Sequence, residues 1–361
     1  MRIVHLFRSP VGGLFRHVRD LATRQAASGH EVGILCDSTT GGDLARRTLR
    51  DLQPRMQLGI VRLPIPRLPG PADLAALRAI RRHLRATRPA IVHGHGAKGG
   101  LHARLAASAC GAKTVYTAHG GSLHYSWTSP HGALFLTAER WLLSRTSGLV
   151  FVCDFERRAF RAKVGAWNCP HAVIHNGLAE EEFSPRPPAK DARDFLFLGE
   201  LRRLKGVDVL IDAIALLHAR GRHCTALIVG EGPDRAQFEQ RLRRHGLGEA
   251  IAMPGAMPAA RAFPRGRVMA VPSRAESFPY VVLEALAAGK PVIASRVGGI
   301  GEMLREDCLV PPDDPQALAD KLLKALDARH EPTGAAMAAL AERFGLAAMS
   351  EKTLAFYESL A

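Results

Sequence analysis

Residues 272–304 read PSRAESFPYVVLEALAAGKPVIASRVGGIGEML. A polar loop runs into an apolar stretch that opens at Pro279. Gly289-Lys290-Pro291, a short β-prone run and the turn Gly298-Gly299 follow. Helix, turn, strand and turn in that order make one repeat of a layered α/β structure. Proline is tolerated at the first helical position, so the reading places Pro279 there with Ser277 or Phe278 as cap. The unpaired amides and dipole of such a helix start favour a phosphate. Glu276 then stands in the loop before the helix, and Glu284 roughly a turn and a half inside it. Carboxylates so spaced can accept hydrogen bonds from hydroxyls at both ends of one extended ligand, such as a sugar joined to a nucleoside through a diphosphate. Two surface glutamates flanking a helix start are the plainer reading of the same spacing.

Outward from this stretch the same alternation fills the chain. β-prone runs fall at 194–199, 225–230, 251–254, 268–271, 291–294 and 308–310, separated by helical patterns at 207–220, 233–245, 279–288 and 315–328. The N-terminal half carries β-prone runs at 1–7, 31–36, 59–63, 90–94, 113–118, 149–153 and 172–175, with amphipathic stretches at 15–28, 73–87 and 98–110 between them. Repeated strand–helix–strand units predict doubly wound parallel sheets. Ser184-Pro185-Arg186-Pro187-Pro188 cannot sit inside a helix or a central strand and marks the expected boundary. The expected layout is therefore two Rossmann-like domains facing a central cleft, 1–187 and 188–345. Residues 334–360 are helical in pattern with a break at Gly345, and 346–361 are expected to pack back on the first domain. Ligands in such sheets bind beyond the carboxyl ends of the strands. The first turn, Ser9-Pro10-Val11-Gly12-Gly13, lacks the GxGxxG fingerprint of a dinucleotide-dependent dehydrogenase.

The 361 residues suffice for two such domains, and 47% of them are hydrophobic. Six cysteines are scattered without a CxxC pair, which is neither a zinc nor a disulfide framework. No apolar run reaches the ~18 residues of a membrane span. The start MRIVHLF reads as a first strand, so a cytoplasmic protein is expected. The net charge of +15 is uneven: residues 1–187 hold 26 Lys and Arg against 12 Asp and Glu, and residues 188–361 hold 23 against 22. The first half either meets something anionic or is a basic, soluble surface.

The order Gly12-Gly13, His119-Gly120, Asn176-Gly177, Gly199 to Gly206, Gly230-Glu231-Gly232-Pro233, Ser273 to Glu284 and Gly298-Gly299 resembles the retaining glycosyltransferases of family four, which have the glycosyltransferase-B fold. Their hallmark is two glutamates separated by seven residues, as in Glu276-SFPYVVL-Glu284. The resemblance spans nearly the whole chain. It implies a nucleoside diphosphate sugar as donor, bound by residues 188–345, with the acceptor bound by residues 1–187. Glu276 would contact hydroxyls of the transferred sugar and Glu284 the ribose. Gly12 and Gly13 would let backbone amides approach the diphosphate, Lys205 would neutralise it, and Ser277, Phe278 and Pro279 would complete the donor loop. His119 would lie beside the transferred sugar.

One position departs from the family pattern. Glu200 stands where many members have an arginine, which leaves Arg202 and Arg203 as candidates for diphosphate support and predicts that Glu200 points away or pairs with one of them. Asn176-Gly177 reads as a structural turn, and His93 as structural. His95 is open between structure and function, and with His124 and Tyr125 in Gly120-GSLHYSWTSP it is a candidate for the acceptor site. No Asp-x-Asp pair is present, so no metal and no cofactor are expected.

Residues 73–89, DLAALRAIRRHLRATRP, set Leu74, Leu77, Ile80 and Leu84 on one face and carry Arg78, Arg81, Arg82, Arg85 and Arg88. Such a helix either lies on an anionic membrane surface or packs its stripe on a sheet. The expected acceptor is a glycan or polyprenyl-linked glycan, with peripheral contact at the inner membrane face. No nucleic-acid module is recognisable. An epimerase of the same fold, or a glycan- or nucleotide-binding protein without turnover, are the alternatives.

Overall fold

A computed structural model describes residues 1–328 and 333–360. The chain divides into two compact units, Met1–Gly177 with Leu346–Ala361, and Leu178–Gly345.

In the first unit seven strands form one sheet: β1 (Arg2–Phe7), β2 (Glu31–Asp37), β3 (Ile60–Leu63), β4 (Ile91–His95), β5 (Lys113–Thr117), β6 (Gly148–Phe151) and β7 (His171–Val173). Their order is β3-β2-β1-β4-β5-β6-β7, with parallel pairing throughout. Helices α1 (Gly12–Ala27), α2 (Gly42–Leu52), α3 (Pro71–Thr87), α4 (Gly96–Ala106), α5 (Pro130–Leu142) and α6 (Asp154–Lys163) make the connections. Layers on both sheet faces bury β1 and β4 almost completely, which is why β1 reads as a largely apolar run without alternation. The strand order reverses between β1 and β4, where His5 pairs with His93 and Phe7 with His95. Helix α4 crosses this reversal closely: a Cβ on Gly99 would lie 2.4 Å from the Leu6 carbonyl oxygen.

The second unit repeats the plan with β8 (Arg193–Leu198), β9 (Ala226–Val229), β10 (Ile251–Gly255), β11 (Gly266–Val271), β12 (Val292–Ser295) and β13 (Leu309–Val310), in the order β10-β9-β8-β11-β12-β13. Helices α7 (Val207–Ala219), α8 (Arg235–Arg244), the single turn α9 (Ala259–Ala262), α10 (Tyr280–Ala287), α11 (Pro315–Asp327) and α12 (Gly334–Phe344) complete it. Its core gathers Phe195, Leu210, Ile214, Ile228 and Leu318. The reversal lies between β8 and β11.

After Gly345, α13 (Leu346–Glu358) returns to the first unit and packs on α1. Tyr357 is fully buried there among Ile3, Leu21 and Ile91.

Three expectations are corrected. The break between the units falls at Gly177/Leu178, ten residues before the expected boundary at 187/188. Leu178 is buried and donates its amide to the Phe344 carbonyl. The proline-rich stretch is pinned to the second unit by bonds from Arg186 N to Ala288 O and from Ala189 N to Pro264 O. Helix α10 starts at Tyr280. Pro279, at ψ 125°, is the last extended residue, so Glu284 lies little more than one turn inside the helix. In α3 the stripe Ala76, Ile80 and Leu84 joins the core with Val4 and Val92, while Leu74 is exposed. This helix covers its sheet, and its outer face is basic.

Candidate functional site

In the second unit the loops after β8 and β11 meet at the strand reversal. Beyond β8 a short 3₁₀ turn, Arg203–Lys205, ends on Gly206 in the left-handed region, φ 69°. A Cβ at Gly206 would lie 1.9 Å from the Pro272 carbonyl oxygen, so only glycine lets the two loops touch. The contact brings Lys205 to the loop after β11. Its Nζ donates to Glu276 Oε1 at 2.6 Å, and the hydroxyl of buried Ser273 donates to the same oxygen at 2.8 Å. Oε2 has no hydrogen-bond partner among the described residues. The carboxylate is thus positioned by one oxygen and offers the other.

Two further features fix this loop, and neither was expected from the sequence. The Arg274 guanidinium grips both Asp208 oxygens at 2.8 and 2.7 Å and pairs with Asp313 at 2.6 Å, tying the loop to the start of α7. Burial alone would raise the Asp208 pKa, but Arg274 foremost, with the residue's own backbone amide and Arg241, more than offsets it and holds the group below its ordinary value. On the other side, Gly298 (φ 59°) lies against the loop: a Cβ there would be 2.1 Å from the Glu276 carbonyl oxygen. Gly299 N donates to Ser277 O at 2.7 Å.

The remaining candidates of this unit fall into place unevenly. Glu284 is half-buried on α10, and Ser277 is half-buried in the loop. Phe278 is buried, with its ring 5.9 Å from that of Phe344, and Pro279 is buried as well. Those two side chains belong to the interior, so any ligand contact there falls to the backbone. Glu200 and Arg202 form an exposed pair at 3.8 Å. Arg203 is exposed, and its backbone is held by Asp234 and Arg274.

In the first unit the strand reversal carries five histidines. His5 Nε2 bonds to Gln25 Oε1 at 2.8 Å, and His5 Nδ1 to His95 Nε2 at 3.0 Å. His95 Nδ1 bonds in turn to His119 Nε2 at 3.1 Å. His93 bonds to the Tyr357 hydroxyl at 2.6 Å and to Thr117 at 2.8 Å, and His17 bonds to Asn176 at 3.0 Å. Asn176, expected as a turn residue, is instead a buried partner of His17, and neither it nor Gly177 has the positive φ of a tight turn. Burial lowers the pKa of all five: His5 and His17 to about 4, and His93, His95 and His119 well below 6.5. They are neutral at pH 7.

Nitrogens of His5, His93 and His95 lie within 4.8 Å of one another, as do those of His17, His95 and His119. Both nitrogens of His5, His93 and His95 already serve hydrogen bonds. A metal would have to replace those bonds.

His119 itself is a non-glycine residue at φ 50°. The loop after it is held by the buried Glu156, whose carboxylate accepts from Gly120 N at 2.6 Å and Val152 N at 2.9 Å. His95 and His119 line a cavity of about 530 Å³, together with Val11, Leu14, Leu134, Phe135 and Tyr125, and with the cations Arg8, Arg67 and Lys98. Lys98 is already paired with Asp73 at 2.7 Å. Tyr125 packs edge-on against Phe135 at 5.0 Å. His124 is exposed, and its ring lies over Gly120. Gly12 and Gly13 open α1, with Gly12 at φ 68° and no atom in the space a Cβ would take.

Residues 12–177 match a family model described as a glycosyl transferase 4-like domain, and residues 192–328 match one described as glycosyl transferases group 1. The protein belongs to the group 1 glycosyltransferases, with the glycosyltransferase-B fold. It is 27% identical over 364 residues to glycogen synthase of Mycobacterium tuberculosis, covering 92% of this chain and 86% of that one. It is 28% identical over 359 residues to the D-inositol 3-phosphate glycosyltransferase of Acidothermus cellulolyticus, covering 88% and 78%. Among solved structures, sucrose-phosphate synthase from Thermosynechococcus elongatus superposes with a TM-score of 0.82 at 20% identity, over 100% of this chain and 99% of that one. Anabaena HepE in complex with UDP gives 0.80 at 19% identity, over 99% and 100%.

Proposed function

We propose that this glycosyltransferase moves a hexose-type sugar from a nucleoside diphosphate sugar to a glycan or lipid-linked glycan, with retention at the anomeric carbon and without a metal or cofactor. The observation that carries the donor reading is the convergence of Lys205 and Ser273 on one oxygen of Glu276 at the β8–β11 reversal. Cleavage of the sugar–diphosphate bond develops negative charge on the departing diphosphate. A lysine held in place by a carboxylate, with the positive end of the α10 dipole nearby, supports stabilisation of such charge. Glu276 Oε2 is the oxygen open to sugar hydroxyls, and Glu284 is the acceptor offered to the ribose. HepE has been solved with UDP-glucose, a donor of the class proposed.

The acceptor reading rests on the cavity beside His119. Its walls are mainly apolar and its lining includes Arg8 and Arg67, which suits an amphiphile bearing a phosphate. Among the described residues no helix is long and apolar enough to cross a membrane. The basic outer face of α3 supplies the electrostatic attraction for peripheral contact with anionic lipid at the inner membrane face.

The test is incubation with a panel of nucleoside diphosphate sugars in excess EDTA. Release of nucleoside diphosphate, stimulated by polyprenyl-linked glycan and giving a product of unchanged anomeric configuration, is the expected result. Complete loss of turnover in EDTA, restored by Mg²⁺ or Mn²⁺, sinks the metal-free reading. Conversion of donor to an isomer without any acceptor would make the protein an epimerase. Failure to bind anionic liposomes at low salt removes the membrane contact.

A further inference from the structure

Of the five histidines gathered at the strand reversal, only His119 has a role implied at the sugar. His5 and His95 lie behind it with Gln25, and all four side chains are joined in one line of three hydrogen bonds of 2.8, 3.0 and 3.1 Å. A neutral imidazole has one N–H and one lone pair, so each bond in such a line dictates the next. Gln25 presents its carbonyl oxygen to His5, and an oxygen of that kind only accepts. His5 therefore carries its proton on Nε2 and has a lone pair on Nδ1. His95 then donates from Nε2 and accepts at Nδ1, and His119 must donate from Nε2. The Nδ1 of His119 has no hydrogen-bond partner among the described residues, and the ring lines the cavity.

We infer that Gln25, His5 and His95 act as positioning residues that fix the tautomer of His119, so that its Nδ1 meets the substrate as a bare hydrogen-bond acceptor. The functional consequence rests on the proposed glycosyl transfer. A sugar or acceptor hydroxyl that donates to Nδ1 finds the lone pair already in place, and the site rejects a group that can only accept.

The line is rigid. Gln25 Nε2 is buried without a hydrogen-bond partner among the described residues, so the amide meets the line through Oε1 alone. The four side chains come from separately anchored elements: His5 on β1, Gln25 on α1, His95 at the end of β4 and His119 in a left-handed conformation after β5. None can turn without breaking a bond in a buried site. Turning the Gln25 amide around would reverse every bond and place the proton on His119 Nδ1, so the two directions give opposite observable states.

The deciding measurement is a long-range ¹H–¹⁵N correlation spectrum of the ¹⁵N-histidine-labelled full chain at pH 7.5, with the His119 signals assigned by their loss in His119→Gln. The expected spectrum shows His119 protonated at Nε2 and imine-like at Nδ1. Gln25→Leu should turn that state into a mixture and lower kcat/KM for transfer by about tenfold, the worth of one hydrogen bond. Gln25→Glu, whose ionised carboxylate can only accept, should keep the wild-type tautomer. A protonated Nδ1 in the wild type overturns the inference, and so does an unchanged His119 tautomer in folded Gln25→Leu. Because the tautomer is read without substrate, a protein that shows no transfer with any donor would refute the proposed function and leave this assignment standing or falling on its own spectrum.

Discussion

Lys205 Nζ lies 2.6 Å from Glu276 Oε1, an ion pair between residues 71 positions apart in the chain. Glu276 is the more buried partner, with its side chain 9% exposed against 28% for Lys205. The lysine is therefore the partner with more room around it, as its proposed contact with a diphosphate requires. Lys205→Ala should lower kcat by about 10²- to 10³-fold, the scale for removing one preorganised donor to developing negative charge. Ser273 still holds Glu276, and a partly exposed pair contributes little to stability, so the melting temperature should move little. Steady-state release of nucleoside diphosphate and a thermal melt measure the two effects. A large fall in melting temperature with near-normal kcat would assign Lys205 a structural role instead.

Arg274 works behind the glutamate. Replacing it with Ala leaves Asp208 partly buried without its cation and frees the loop from α7. A loss of about 2 kcal/mol is expected, below the figure for a fully buried pair because both side chains are about one-fifth exposed. Activity should fall as well, since Ser273 and Glu276 flank the freed residue. Urea unfolding of the variant beside Arg274→Lys separates the two effects: lysine keeps the charge and loses the two-pronged grip.

Gly298 can be compared with Gly221, a left-handed glycine of the same unit. A Cβ on Gly221 (φ 77°) meets open space, whereas one on Gly298 (φ 59°) would lie 2.1 Å from the Glu276 carbonyl. Gly221→Ala should cost about 1 kcal/mol of backbone strain. Gly298→Ala should cost about 2 kcal/mol more, because the loop must also move. It should reduce activity as well, and Gly221→Ala should not. Equal melting temperatures for the two variants would refute the clash.

These residues show where the chain is legible and where it is not. Strand positions follow from composition, because a parallel strand covered on both faces is a short apolar run: the run at 225–230 becomes the fully buried β9 (Ala226–Val229). Glu276 and Glu284 could be singled out because their spacing is local to one loop and helix start, and Lys205 because the stretch from Gly199 to Gly206 resembles the family's. Arg274 sits inside the same quoted stretch, yet its partner Asp208 lies 66 residues earlier, and only the β8–β11 contact joins them. His5 reads as one more position in a buried strand, and Gln25 as one more polar residue of a helix. No local pattern links them across 20 residues, or His5 to His95 across 90. The domain boundary was misplaced for a related reason. Prolines mark where regular structure stops, whereas the units part where contacts change sides, and buried Leu178 already belongs to the second.

The same histidines predict how the first unit responds to acid. His5 and His17 are fully buried, and burial lowers each from 6.5 to about 4 in the folded protein. Between those values the unfolded chain binds protons that the folded chain does not, so stability rises with pH across the window. The contribution is complete above about pH 6.5, is lost as pH falls toward 4, and changes no further below that. Each group accounts for about 3 kcal/mol at most. His93, His95 and His119 shift in the same direction. The carboxylates with lowered values, such as Asp37, Asp73 and Asp208, start from 3.8 and are lost only in stronger acid. The pH 4–6.5 window therefore belongs to the histidines. Denaturant unfolding of the first unit at half-unit steps from pH 7.5 to 4.5 should show a steep decline beginning near pH 6.5. His17→Gln, which keeps a polar partner for Asn176, should flatten that slope by about one proton's worth. A wild-type midpoint that stays constant from pH 7 to pH 5 would mean that the cluster is protonated in the folded state, contrary to its burial.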